Sequence, residues 1–124
     1  MRDKKELQRF VEYYAKYWWD KAYSIWGDKI GIMPTVIINA RLTATAGRAF
    51  LQDNKCDFSA YLLDRDMDYF AKDTIPHELA HHIAYRLFKD RGHGKAWKDT
   101  ALALYGANNR CHTMGTKSRH EKDK

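Results

Sequence analysis

The chain has 124 residues, of which 44% are hydrophobic and 14% aromatic, a composition that fits one globular domain and excludes a wholly disordered chain. Its net charge is +6, from 22 Lys and Arg against 16 Asp and Glu, which permits contact with nucleic acid but does not require it. No apolar run approaches the roughly 20 residues of a membrane helix, and the N-terminus lacks the apolar block of a signal peptide, so we expect a cytoplasmic protein without membrane contact.

The first half of the chain predicts a long helix followed by three short strands. Between residues 4 and 26, apolar side chains from Leu7 to Ile25 recur at spacings of three and four, which predicts an amphipathic helix whose aromatic stripe, including Trp18, lies in the core. Three later segments are β-branched or alternate apolar with polar residues, which is typical of strands. They are TVIIN (35–39), RLTATAGRAFL (41–51) and FSAYLL (58–63). Gly47, inside the second segment, indicates a bulge or a close backbone approach.

The second half of the chain predicts two more helices. The first begins near Asp73 or Thr74, either of which can cap it, and carries Pro76 in its first turn, where a missing N–H costs nothing. A last helix is expected over about residues 95–105, ending at Gly106. The order of helix, strands, helix and helix predicts an α+β fold.

Beyond the last helix the sequence is polar and ends in GTKSRHEKDK. We predict one domain over residues 1–114 and a basic, disordered tail over residues 115–124. Much of the positive charge lies at the two ends of the chain, where solvated ends and a nucleic-acid-binding surface explain it equally well. Cys56 and Cys111 are isolated, which fits a reducing compartment and excludes a cysteine-rich zinc ribbon. The sequence does not predict an oligomeric state.

The segment HELAH (77–81) carries the clearest chemical signal. It places His77 and His81 one helical turn apart on the same face, so that two ring nitrogens can reach a single ion at about 2.0–2.1 Å. Glu78 lies about 100° round the helix, near enough to reach water at that ion without displacing a ligand. This HExxH pattern is that of a zinc hydrolase and predicts one Zn²⁺ with Glu78 as the catalytic base. His82 points away from His81, and we expect it to be a hydrogen-bonded or partly exposed histidine.

A catalytic zinc usually takes three protein ligands and keeps one position open for water, so a third ligand is needed. The longer zinc-protease pattern HExxHxxGxxH requires Gly at position 84 and His at position 87. The chain has Ala84 and Leu87, so it does not belong to the proteases defined by that pattern. The one glutamate after the motif is Glu121, in the predicted tail. His93 stands between two glycines in a turn that can fold back over the helix, and it is our preferred third ligand, with His112 as the alternative.

The segment DTIPHELAHHIAYRLFKDRGHGKAWK resembles the active-site segment of SprT-like zinc metalloproteases, which include bacterial SprT proteins and the Spartan proteases that cut proteins crosslinked to DNA. Together with NARLTATAGRAF upstream and RCHTM downstream, the resemblance covers about residues 35–114. It implies a zincin-like α+β domain with an N-terminal helix, a small three-stranded sheet, an HExxH helix and a C-terminal helix. It also implies a zinc-dependent endopeptidase in which His77, His81 and His93 match the metal ligands and Glu78 the catalytic glutamate.

In related metalloproteases a substrate chain pairs with the edge of the sheet above the zinc. The resemblance implies that residues 42–49 form this edge, with a protein substrate contacting four residues. These are Ala44, Thr45, Ala46 and Gly47. Many SprT-like proteins carry a C-terminal DNA-binding region, whereas this chain ends in a short basic tail, so contact with DNA is expected through a basic surface if it occurs.

Several alternatives stay open at this point. The same zinc could be structural in a nucleic-acid-binding or interaction module without proteolytic activity, and a fourth ligand such as Cys111 or His112 would favour that interpretation. A hydrolase with a non-peptide substrate is a second alternative. The oxyanion donor is not identified either, and the sequence does not rank its candidates. These candidates are Arg48, Tyr61 and Tyr85. Trp97 is expected to pack against the turn that carries His93.

Overall fold

The computed structural model describes residues 2–107, so the predicted tail, with Cys111 and His112 before it, lies outside the described residues. The chain forms an α+β fold, as predicted, with a long N-terminal helix, a three-stranded sheet and the remaining helices after it. Its elements are α1 (Lys4–Trp26), a 3₁₀ turn (Gly27–Ile30), β1 (Thr35–Asn39), β2 (Gly47–Phe50), β3 (Lys55–Ser59), α2 (Ala60–Arg65), α3 (Met67–Tyr69), a π-helical turn (Phe70–Thr74), α4 (Ile75–Phe88) and α5 (Lys95–Tyr105). No helix in the described part of the chain is long and apolar enough to span a membrane.

Helix α1 covers the predicted range, but its buried stripe differs from the predicted one. The stripe consists of Leu7, Val11, Ala15, Trp19 and Ala22. Trp18 is only partly buried and Ile25 is 42% exposed, because the indole of Trp19 turns inward and donates to the carbonyl of Gly31 at 3.3 Å. The predicted aromatic stripe therefore lies at the border of the core and not at its centre.

The sheet has the strand order β1-β3-β2, with β3 parallel to β1 and antiparallel to β2. The predicted second strand, 41–51, is confirmed over 47–50 and wrong at Leu51 and over residues 41–46. Residues 41–46 form a loop, in which the carbonyl of Leu42 accepts from the hydroxyl of Ser59 at 2.5 Å. The predicted third strand, 58–63, is also displaced. Strand β3 ends at Ser59, whose side chain accepts from the N–H of Leu62 at 3.0 Å and thereby caps α2.

A polar cluster around the buried Asp57 ties the three strands together. The carboxylate of Asp57, in the central strand, accepts two hydrogen bonds from Arg48 at 2.6 and 3.0 Å and one from Asn39 at 2.9 Å. Burial alone would raise the pKa of Asp57, but the hydrogen bonds from Arg48 and Asn39 outweigh it and lower this pKa below its ordinary value. The cluster lies on the face of the sheet opposite α4, since successive side chains of a strand alternate between faces and Gly47 faces that helix.

Helix α4 lies in the centre of the fold and is buried along most of its length. It continues directly from the π-helical turn, so Thr74 is already helical and makes no side-chain capping bond, and the predicted cap at Thr74 is wrong. Pro76 stands in the first turn as predicted, where no N–H is needed. Helix α5 ends at Gly106, whose φ of 79° is left-handed, which confirms the predicted C-cap.

His82 links α4 to the sheet. It is 1% exposed, and its Nε2 lies 3.1 Å from the carbonyl oxygen of Lys55, at the start of β3. Burial lowers the pKa of His82 from 6.5 to about 4, against the opposing effect of the hydrogen bond to Lys55. At neutral pH the ring is therefore uncharged and donates to this carbonyl. The prediction of a hydrogen-bonded histidine is confirmed, and the side chain is fully buried.

We expect His82 to make stability fall with acidification. Because its pKa is about 4 in the folded chain and 6.5 when exposed, the unfolded state binds more protons between these values, and the free energy of unfolding decreases as the pH falls from 6.5 to 4. The loss is up to about 3 kcal/mol. Urea denaturation of wild type and His82→Gln across this range checks it, since the Gln amide donates without titrating. Parallel pH curves for the two proteins would contradict the expectation.

Candidate metal centre

Three histidines converge on one point beside α4. His77 and His81 project from the same face of the helix and are both buried, and His93 reaches them from the turn between α4 and α5. The Nε2 atom of His93 lies 3.2 Å from that of His77 and 3.0 Å from that of His81. All three ligand atoms lie within 4.8 Å of one another. The structure thus brings together the three residues that the sequence singles out as metal ligands.

The cluster has the chemistry and spacing of a metal site. Imidazole suits Zn, Cu, Fe and Ni, and two nitrogens bound tetrahedrally to one zinc at about 2.0–2.1 Å lie about 3.4 Å apart. The separations of 3.0 and 3.2 Å are close to that value, so small side-chain movements suffice to admit an ion. Within residues 2–107, no other set of His, Cys, Asp and Glu side chains has this spacing. The three histidines can therefore hold one metal ion, and zinc is compatible with them.

Trp97, on α5, packs against all three imidazoles. Its ring centroid lies 4.8 Å from that of His77, 5.3 Å from that of His81 and 4.6 Å from that of His93. The side chain is completely buried, which confirms that it packs against the turn that carries His93. The indole thus forms an apolar floor for the cluster, and α5 holds the rings of both α4 histidines as well as that of His93.

Glu78 lies beside the histidines, between α4 and the sheet. Its side chain is buried, and its Oε2 is 4.0 Å from Nε2 of His77. A Cβ added at Gly47 would stand 3.1 Å from Cγ of Glu78 and 3.0 Å from the ring of Phe58. The close backbone approach predicted at Gly47 is therefore confirmed, and the glutamate and Phe58 are the groups that approach it.

The predicted substrate-binding residues do not all lie on the sheet edge. Ala44, Thr45 and Ala46 precede β2, and only Gly47 belongs to it. The carbonyl of Ala46 accepts from the N–H of Ser59 at 2.8 Å, so this residue faces inward, towards β3. Hydrogen-bonded and non-hydrogen-bonded positions alternate in an antiparallel pair, and β2 is an edge strand of the described sheet. Gly47 and Ala49 are therefore the residues whose backbone groups face the open edge.

The structure separates the three candidate oxyanion donors. Arg48 is bound to Asp57 on the far face of the sheet, and Tyr61 contacts Arg65 on α2. Tyr85 alone stands on α4, four residues after His81 and hence on the face that carries the ligands. Its hydroxyl lies 3.4 Å from the side-chain amide of Gln52 and 3.4 Å from Nη2 of Arg91, in an exposed position.

Two residues near the site have no signal in the sequence that would have identified them. Ala49 follows from the pairing register, which the chain alone does not disclose. Asp90 accepts hydrogen bonds from backbone N–H groups, which any residue type can donate. Burial alone would raise the pKa of Asp90, but these bonds, from Gly92, Trp97 and Gly94, outweigh it and lower the pKa. The carboxylate is accordingly ionised at neutral pH and acts only as an acceptor.

The fold and the site together define a class: an α+β domain in which one buried helix supplies two of three converging histidines and the adjacent glutamate. The SprT-like family model matches residues 8–117, which is most of the chain. The chain therefore belongs to the SprT-like family.

Curated relatives named Protein SprT agree with this assignment. The protein from Pseudomonas paraeruginosa is 37% identical over 89 residues, covering 69% of this chain and 53% of the relative. That from Shewanella oneidensis is 33% identical over 81 residues, covering 64% and 52%, and that from Vibrio parahaemolyticus is 35% identical over 75 residues, covering 60% and 45%. The chain spans about half the length of the curated relatives it matches. No solved structure matches it.

Replacing Gly47 with Ala is expected to destabilise the fold by about 1–3 kcal/mol, because the new methyl group would press on Phe58 and Glu78 in a packed interior. Gly92→Ala is the matched control, since a Cβ there meets nothing within 4 Å. Urea denaturation of both variants measures the difference. Equal losses of stability in the two proteins would show that the contact at Gly47 is not the cause.

Replacing His93 with Ala is expected to weaken binding of Zn²⁺, used as the probe ion, by more than the 10–100-fold that loss of an outer-shell partner typically causes. His77→Ala should behave in the same way. His82→Gln is the control, because this neighbouring imidazole is bound to the sheet and not to the cluster. Competition with a chromophoric chelator gives the affinities. A His93→Ala protein that keeps one tightly bound zinc would remove this residue from the ligand set.

Proposed function

We propose that the chain is a zinc-dependent endopeptidase that hydrolyses peptide bonds in a protein substrate. The observation that carries the proposal is the convergence of three imidazoles next to a buried carboxylate, with Nε2 of His93 3.2 Å from that of His77 and 3.0 Å from that of His81. Membership of the SprT-like family, and the resemblance of the active-site segment to that of SprT-like metalloproteases, support the same activity.

In this proposal His77, His81 and His93 would hold the ion. A zinc ion there would supply Lewis acidity, which polarises a carbonyl group and makes water more acidic. Three protein ligands are typical of a catalytic zinc and four of a structural one. Three His side chains form the cluster within residues 2–107, and the two candidates for a fourth ligand, Cys111 and His112, lie outside the described residues.

Glu78 serves as the general base. It stands beside the cluster without belonging to it, with Oε2 4.0 Å from Nε2 of His77. The carboxylate takes a proton from water as the water oxygen bonds to the scissile carbon, and it delivers that proton to the nitrogen as the C–N bond breaks. The products are a carboxylic acid and an amine. Burial of Glu78 keeps bulk water away from the proton it carries between these two steps.

The substrate adds a strand to the open edge of β2. Gly47 and Ala49 offer N–H and C=O groups there, and a peptide held by them is extended and fixed in register. Gly47 is the residue of β2 that approaches Glu78, so pairing at this point brings a substrate carbonyl close to the catalytic carboxylate. The resemblance implies substrate contacts at Ala44, Thr45 and Ala46. In this proposal the contacts lie instead at Gly47 and Ala49.

The nature of the substrate protein is a further part of the proposal. The net charge of +6 and the resemblance to Spartan proteases support a DNA-associated protein in the cytoplasm as the substrate. Because electrostatic contact with DNA weakens as salt rises, cleavage of such a substrate should depend on salt more steeply than cleavage of a free protein.

The proposal is tested with Glu78→Gln. This variant should retain zinc and fold, because Gln has nearly the same shape, but cleavage of an unfolded, fluorescently labelled casein should fall by at least about 100-fold with loss of the general base. Glu12→Gln, on the exposed face of α1, is the matched control. Zinc content and thermal stability of each variant are measured in parallel, with and without single-stranded DNA in the cleavage assay.

The possible results separate the candidate functions. Cleavage by wild type and loss of cleavage in Glu78→Gln support the endopeptidase. Equal cleavage by wild type and the variant would reject the general-base role of Glu78. Stoichiometric zinc without cleavage, whether or not DNA is present, would favour the nucleic-acid-binding module. Cleavage only with DNA would support a DNA-associated substrate.

A further inference from the structure

The third histidine is held by a turn whose backbone depends on one carboxylate. Oδ1 of Asp90 accepts from the N–H of Gly92 at 2.9 Å, and Oδ2 accepts from the N–H of Trp97 at 2.9 Å. The N–H of Gly94 also lies near enough to this carboxylate to contribute to its lowered pKa. The two donors, at 92 and 97, lie on either side of His93 in the chain. From this geometry we infer that Asp90 is a positioning residue that holds His93 in place for metal binding.

The same carboxylate replaces the missing cap of α5. Gly94 occupies the N-cap position and has no side chain with which to accept from the first turn. Trp97 is the third residue of α5, and its N–H is one that an N-cap side chain normally satisfies. Asp90 supplies this acceptor from outside the helix. It thereby joins the start of α5, and with it the indole that packs on the three imidazoles, to the turn that carries His93.

The two glycines that flank His93 differ in a way that supports this role. A Cβ at Gly94 would stand 3.0 Å from Oδ2 of Asp90, whereas a Cβ at Gly92 would meet nothing within 4 Å. Only Gly94 is therefore required to leave room for the carboxylate. The backbone of the turn therefore packs closely against the Asp90 carboxylate at Gly94 but not at Gly92.

A preorganised turn should increase the affinity for metal. If His93 were free to move, metal binding would have to order its backbone, at a cost in conformational entropy. With Asp90 in place, the backbone around His93 is already ordered when the chain folds, before the metal binds. Asp90 does not touch the metal site itself, so its effect is on affinity through the position of His93. The inference rests on the proposed zinc site but does not depend on which reaction that site catalyses.

The test compares Asp90→Ala with Asp99→Ala, which removes an exposed carboxylate of α5 bound to Lys95. Asp90→Ala should bind Zn²⁺ about 10–100-fold more weakly, the range typical of residues that orient metal ligands, whereas the control stays within about twofold of wild type. Asp90→Asn, which retains a carbonyl acceptor, should recover part of the affinity. In metal-free protein, amide hydrogen exchange at Gly92 and Trp97 should accelerate in Asp90→Ala alone.

These measurements distinguish a positioning role for Asp90 from a purely structural one. Zinc affinity within about twofold of wild type in folded Asp90→Ala would overturn it, and so would unchanged exchange at Gly92 and Trp97. A lower melting temperature without a change in zinc affinity would assign Asp90 a purely structural role and also overturn it. Should Asp90→Ala fail to fold, Gly94→Ala presses on the carboxylate and is expected to weaken zinc binding, with Gly92→Ala as its control. Zinc affinity and amide exchange do not depend on proteolysis, so these measurements test the role of Asp90 even if the protein cleaves no substrate.

Discussion

Burial of α4 on all sides is the constraint on which the rest of the structure depends. Every residue from 75 to 84 is buried, and four of them carry polar groups: His77, Glu78, His81 and His82. An unsatisfied buried polar group costs about 1–3 kcal/mol, so such a helix is stable only if the surrounding elements supply partners. The carbonyl of Lys55 does so for His82, and on the opposite side the Nε2 atoms of His77 and His81 converge with that of His93. The turn after α4 therefore completes the polar cluster that this helix buries.

The sheet contributes to the site mainly through the lack of a side chain at one position. Gly47 allows β2 to pass close to Cγ of Glu78, whose side chain is buried beside the histidines. The position of that glycine depends in turn on the register of β2 against β3, which Arg48 and Asp57 hold from the opposite face. The polar cluster on one face of the sheet thus determines the geometry of the glutamate on the other.

The sequence predicts the parts of the site that depend on local geometry. The histidines at 77 and 81 are four residues apart, and any regular helix places them on one face. Strand ends were predicted less well because competing tertiary contacts decide them. FSAYLL has strand composition, yet the hydroxyl of Ser59 caps a helix within it. The role of Asp90 has no pattern at all, since its donors are backbone groups and become neighbours only when the turn has folded.

The net charge overstates the cationic surface that is available to nucleic acid. Arg48 is bound to Asp57, and Arg86 donates to two backbone carbonyls and to Asn54, with burial lowering its pKa. The charge of Arg48 is already offset by Asp57, and loss of this pair would leave the carboxylate of Asp57 as a buried, unpaired charge. Contact with DNA would therefore have to use exposed lysines and arginines elsewhere on the chain. The described metal cluster and its carboxylate come from α4 and the turn before α5, and none of these four residues is a lysine or an arginine.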